Sequence, residues 1–442
     1  MTSKLFLEKN KALHPELGSI STKKMRFKGQ GRREINLNQE PLNQITIKKK
    51  RASTWKWESA NARANSDLNL KLRTQAMKFN KHIQLVSLEC KPCLQISDKG
   101  FYYVTQALKG LPSLKNLSLA FRKYPQATDR GLTGLFQGLE SLSSLQKLKF
   151  WFSCSKRVTD QALSRLSQSL KKLLLIKDLD LGFIDCPQIT DASLGHISQC
   201  LRSFPHLKRL KLTFNNSSQV SDAGLFWVSE GLKSMACLEI LGLSLASLPG
   251  ITDSGMQFVS QSLKGFTQSK SIQLDCSFCS GITDASLLTF GQDLKGLRPL
   301  QNLDFDLSLC LQITDKGVDG LTRNLKELDS LQRLRLGFSH NNNISDLGLE
   351  HLARNLAVIA RLKEVILEIR GCSRISHAGE NRILGRLKNS ASLQKGNLQL
   401  NGRTAMNRNP INMKSLILVL IGTLIGCLLP KVLFFLITYL TE

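Results

Sequence analysis

An aspartate recurs every 31 residues nine times in succession, at Asp98, Asp129, Asp160, Asp191, Asp222, Asp253, Asp284, Asp315 and Asp346, and His377 takes the tenth place. Ser or Thr precedes it every time, from Ser97 to Ser376. A register kept that long without insertion or deletion requires stacked, near-identical units, so the chain should build one elongated solenoid. Such an architecture works by presenting a surface rather than a catalytic pocket.

Counted from the aspartate, apolar residues stand at +3, +6, +10 and +13, as in Leu163, Leu166, Leu170 and Leu173 after Asp160. Steps of 3, 4 and 3 place them on one helical face. Ser/Thr then Asp suits the helix start, where an oxygen satisfies free N–H groups and a negative charge faces the positive dipole end. At +11 a basic residue, such as Lys109, Lys171, Arg202 or Lys233, suits the helix end. Positions +19, +21 and +23 alternate apolar, as Leu179, Leu181 and Phe183 or Leu334, Leu336 and Phe338 do, which predicts a strand with one buried face. Each unit is therefore strand, turn, helix, turn, and the fold class is α/β.

The run Leu181, Phe183, Cys186, Ile189, Thr190, Asp191, Leu194 resembles the motif of leucine-rich-repeat proteins, specifically the cysteine-containing and ribonuclease-inhibitor-like subclasses. The resemblance spans about residues 66 to 400 and implies a horseshoe of about ten 31-residue repeats. The chain departs from that family in its long repeat and in having three inward strand positions rather than two. Asp67, one period upstream, and Ile383, Leu387, Leu398 and Leu400 downstream keep the phase with a weaker consensus, as terminal repeats do.

Five cysteines, Cys93, Cys186, Cys279, Cys310 and Cys372, share the inward turn position +26, held once by Asn341. Repetition at one phase marks small buried thiols in a reducing compartment rather than disulfides. Two C-x-x-C pairs, Cys90/Cys93 and Cys276/Cys279, could form a four-thiolate zinc site. They lie six repeats apart, on the order of 29 Å at about 4.8 Å per strand, and cannot share an ion. No metal or cofactor is expected. Nor is an enzyme: His196, His206, His340, His351 and His377 fall at different phases, phosphate-binding glycine loops are absent, and a catalytic Ser/Thr–Asp pair would occur once rather than nine times.

The net charge of +27 is uneven. Residues 1–65 carry 15 Lys/Arg against 5 Glu, include Lys48-Lys49-Lys50-Arg51, and are expected to form a disordered basic arm. Nucleic-acid binding led by this arm is the alternative to a protein-binding role. No F-box-like pattern accompanies it, although a substrate-receptor-like repeat protein without one is a further alternative. After a linker over 401–414, residues 415–440 hold a single charge, Lys431, which suits a C-terminal hydrophobic helix and a membrane anchor. Basic residues before it (Lys395, Arg403, Arg408, Lys414) and the missing N-terminal signal segment would keep the solenoid in the cytosol. A soluble cytoplasmic or nuclear protein is the other localisation.

Outward strand positions +18, +20 and +22 should line the concave face. They carry Lys147, Lys149 and Trp151, then Asp178 and Asp180, Arg209 and Lys211, Asp275, Asp304 and Asp306, and Arg333 and Arg335, followed by Glu364 and Glu368. Same-sign clusters that alternate along the face suggest a groove for an unidentified protein ligand, with Trp151 as an exposed anchor on a monomeric scaffold.

Overall fold

The computed structural model describes residues 34–36, 53–59, 65–75, 77, 80–388, 397–400 and 403–404. The basic run at 48–51 and the apolar run at 415–440 lie outside them, so the anchor expectation rests on sequence alone. Among the described residues no helix is long and apolar enough to cross a membrane.

Within the unit Met1–Arg403, strands lie in strict chain order in one sheet, each parallel to its neighbour from Glu34–Asn36 to Asn397–Leu400, and between Leu85–Cys90 and Asn397–Leu400 a helix returns the chain between successive strands. From Thr54–Ser59 to Glu364–Glu368 neighbouring strands pair residue i with i+31, as in Leu179↔Leu210 and Leu210↔Leu241, so the sequence period is the ladder register; at the last repeat the offset becomes 33, with Val365 opposite Leu398 and Leu367 opposite Leu400. This repeating strand–helix solenoid is consistent with a leucine-rich-repeat fold. Helices such as Asp160–Leu170 and Asp191–Leu201 hold 11 residues. Their +3, +6 and +10 side chains are buried, as are the inward strand positions (Leu163, Leu166 and Leu170; Leu179, Leu181 and Phe183).

The helix is shorter than the apolar spacing implies. It ends at +10, and +13 folds back in a tight turn in which Leu173 N–H donates to the Leu170 carbonyl. Position +16 is also buried, as Leu114, Leu145, Ile176 and Leu207 show, so +13 and +16 belong to the turn that carries the chain into the strand. Ser269 holds +16 once, fully buried, with its hydroxyl unpartnered.

The aspartate does more than charge a helix end. The Ser/Thr before it is the N-cap, as Thr190 shows by accepting from the Ala192 N–H at 3.2 Å. The carboxylate reaches into the following repeat: Asp160 accepts from Thr190 N–H at 2.9 Å and from Thr190 Oγ1 at 2.7 Å. The same two-point clamp runs from Asp67 on Ser97 through Asp222 on Thr252 to Asp346 on Ser376. Position +2 of the receiving helix must be small to admit it. A Cβ on Gly255 would stand 2.3 Å from the Asp222 carboxylate, and where Ser286 replaces glycine its hydroxyl donates to Asp253.

The sheet begins earlier than the expected boundary at residue 66. Thr54–Ser59 is a strand paired with Leu85–Cys90, with Trp55 opposite Val86 and Trp57 opposite Leu88, both tryptophans buried, and Glu34–Asn36 pairs with it in turn. Part of the expected arm is therefore the first layer of the sheet. Trp55 and Trp57 stand 31 residues before Val86 and Leu88, in phase with every other inward position.

Candidate functional site

The open face of the sheet, opposite the helices, carries +18, +20 and +22, and parallel pairing sets each residue beside its counterpart in the next repeat. The predicted site residues fall into two groups. In the first, Lys147, Asp178 and Arg209 form one row, with Lys147 Nζ and Arg209 Nη1 at 3.8 and 3.5 Å from Asp178. Lys149, Asp180 and Lys211 form the next row, with Lys149 at 3.7 Å from Asp180. Four cations face two carboxylates, so this group keeps a positive excess. Such exposed pairs are each worth about 0–1 kcal/mol and leave their members available to a ligand.

Trp151 is not a projecting anchor. Its indole N–H donates to Asp180 at 2.7 Å, and its ring lies over Gly182, where a Cβ would come within 3.1 Å. Lys149 and Arg122 stand over the ring at 4.8 and 5.3 Å. The half-buried indole is a floor for the basic group. Nothing in the spacing points to Arg122, which sits at +24 beyond the alternation. Gly182 was the available signal, because a glycine beside an aromatic lets the ring lie flat.

The second group is acidic. Arg335 Nη1 meets Asp304 at 2.7 Å, while Nη2 meets Asp306 at 3.1 Å and Glu368 at 2.9 Å. Arg333 Nε pairs with Glu364 at 3.1 Å. Asp275 neighbours Asp306 across the ladder and accepts from Ser244 Oγ at 3.0 Å and Ser277 Oγ at 2.8 Å. Burial first, and the nearby Asp306 second, push the Asp275 carboxyl above its ordinary value. Burial would lower the Arg335 guanidinium, but Asp304 and Glu368 outweigh it and hold it up. Five carboxylates face two arginines, a negative excess. Between the groups lie the neutral Ile240, Gly242, Ser271 and Gln273.

No group of three or more His, Cys, Asp or Glu residues among those described could hold a metal ion. The +26 cysteines are free and buried. Cys279, Cys310 and Cys372 each point a thiol at the +23 carbonyl of the preceding repeat, at 3.3, 3.2 and 3.1 Å, and Asn341 makes the same bond at 3.0 Å through its amide. Burial pushes the Cys186 and Cys310 thiols up to about 12, which makes them poor nucleophiles and poor ligands.

No protein-family model matches this chain, and no curated protein matches it. Among solved structures it is similar to a chain in the crystal structure of the Rad7 and Elc1 complex in yeast, at 16% identity and a TM-score of 0.46, covering 79% of this chain and 81% of that one. A looser likeness is to Leiomodin-1 actin-binding site 2, at 15% identity and a TM-score of 0.29, covering 37% of this chain and 86% of that one.

Proposed function

We propose that this protein is a non-catalytic, monomeric scaffold that binds a protein ligand on the open face of its sheet. The observation that carries this reading is the division of that face into a basic group around Trp151 and an acidic group around Arg335. A ligand with an acidic segment followed by a basic one would match both, and charge matching of this kind selects partners and speeds encounter. The repeats are taken as the cysteine-containing kind, because five thiols share the +26 turn position and three of them, Cys279, Cys310 and Cys372, donate to the preceding repeat.

The test is recovery of partners from the native cell by affinity capture. Reversing Lys147, Lys149, Arg209 and Lys211 to Glu should remove the specific partners and leave circular dichroism unchanged. Unaltered recovery would refute the site. A second feature, the run at 415–440, supports a membrane anchor on the cytosolic side. Truncation after Asn412 should turn a carbonate-resistant protein into an extractable one. Extraction of the full chain by carbonate alone would exclude the anchor.

A further inference from the structure

Nine turns lead from a helix end into the next strand, spanning 109–115 and every equivalent stretch to 357–363, and all lie along one edge of the solenoid. They carry 15 Lys/Arg, every one exposed, against 4 Asp/Glu, a net charge of +11. The turns of the opposite edge, from 91–99 to 339–347, carry 8 Lys/Arg against 10 Asp, a net −2. Helix dipoles account for one cation per repeat at +11. They do not account for the second row at +17 (Lys115, Lys177, Lys208, Lys270, Lys363), which stands where strands begin. Glu239 is gripped between Lys208 at 2.9 Å and Lys270 at 3.0 Å. Lys109, Lys115, Lys171, Lys177, Arg202 and Lys295 have no ion-pair partner among the described residues.

The same edge carries the two most exposed large hydrophobic side chains among the described residues, Leu174 at 69% and Val358 at 63%, with Leu175 at 51% beside Leu174. Their neighbours Leu173 and Ile176 are buried in the turn, so Leu174 and Leu175 point away from the core, flanked by Lys171, Lys172 and Lys177. The phenylalanines of this edge, Phe204 and Phe266, are buried, and His206 is its one exposed ring among the described residues, so it has no row of aromatics on which successive bases could stack. The cations run about 40 Å along the strand starts and about 75 Å along the helix ends at ordinary strand and helix spacings. A flat, anionic partner that also accepts apolar side chains fits this combination. We propose that this edge docks on the surface of an anionic lipid bilayer, with the lysines among the headgroup charges and Leu174, Leu175 and Val358 in the interface.

The inference stands apart from the ligand-binding face and from the run at 415–440, and the test separates them. Full-length protein is floated with phosphatidylcholine vesicles that contain or lack phosphatidylserine, and hydrogen exchange is followed with and without vesicles. Binding should rise at least tenfold with phosphatidylserine and fall with salt, and exchange should slow over 171–177 but not over 184–190. Lys171→Glu with Lys177→Glu and Arg202→Glu should weaken it at least tenfold, and Leu174→Ser with Leu175→Ser at least threefold. A control on the other edge, Lys156→Glu with Arg157→Glu, should stay within twofold. Equal binding of all variants to neutral vesicles would assign the contact to the C-terminal run and overturn the proposal. So would binding that single-stranded RNA displaces and the leucine changes leave intact, which would make the edge a nucleic-acid surface.

Discussion

At the scale of single residues, the repeated aspartate is a bond between repeats before it is a cap within one. Asp253 accepts from Thr283 N–H at 2.9 Å and Oγ1 at 2.6 Å, and from the Ser286 hydroxyl. Burial raises its carboxyl, but these donors outweigh that effect and hold it below the ordinary value. Hydrogen bonds to a charged acceptor contribute about 1.5–3 kcal/mol each. Asp253→Ala should therefore cost roughly 2–4 kcal/mol in urea unfolding, and Asp253→Asn about half as much. The sign with pH follows from a depressed folded value. The carboxylate's contribution is complete above the unfolded value of about 3.9 and is lost as pH falls through the lower folded one. The gap between wild type and Asp253→Ala should hold at pH 7 and 5 and close below about 4. A gap that does not change with pH would reject the charged clamp. Ser269 gives the opposite case, a buried hydroxyl without a partner where other repeats place Leu or Ile. Ser269→Ala needs no extra room and should stabilise by about 1 kcal/mol, since an unsatisfied buried polar group costs about 1–3. A loss of stability would show that the hydroxyl is bonded after all.

At the scale of the repeat, strand and helix were legible because their periods of 2 and 3.6 are carried by Leu, Ile and Phe at fixed offsets. The turns were less so. Leu173 kept a helical spacing although the chain had already left the helix, since +10 and +13 stay neighbours in a tight turn as they would in a helix. Position +25 was opaque for a different reason. It is left-handed in eight successive repeats with residues as unlike as Lys123, Cys154, Phe278 and Leu309, at φ from 55° to 63°, and among the nine positions only Asp185, Asn216 and Gly371 are of the types that favour that conformation. The bond that the residue's own N–H makes to the next repeat (Phe278 N–H to the Ser308 carbonyl, Leu309 N–H to Ser339) holds that conformation regardless of side chain. The thiols offer a check at this scale. In the native protein, peptide-mapped alkylation should reach the half-exposed Cys237 and Cys154 first, and Cys93, Cys186, Cys279, Cys310 and Cys372 only after denaturation. Early labelling of the +26 column would contradict its burial in the turns.

At the scale of the molecule, repetition made the fold readable from sequence, whereas the site is where repetition fails. Alternation placed all twelve predicted residues on one sheet face, and the structure brings them into two groups of opposite excess charge. Spacing could not show which of them neutralise one another, because Arg335 and its three carboxylates are 29 to 33 residues apart on three strands, and no pattern encodes their side-chain reach. That Trp151 lies flat was signalled only by Gly182, its ladder partner one repeat on. The start of the sheet was hidden by composition: Trp55 and Trp57 were in phase, but lysines and arginines around them gave the stretch the look of a solvated arm. The central claim is that the open sheet face, and not the helical side, receives a protein ligand. A photo-crosslinking amino acid placed at Lys211 or Gln273 on that face, and at Gln161 or Tyr102 on the helices, tests it directly in the native cell. The account predicts that one protein is captured from Lys211 and Gln273, that it is absent from Gln161 and Tyr102, and that it disappears when Lys147, Lys149 and Arg209 are reversed to Glu. Capture of the same partner from the helical positions alone would contradict it.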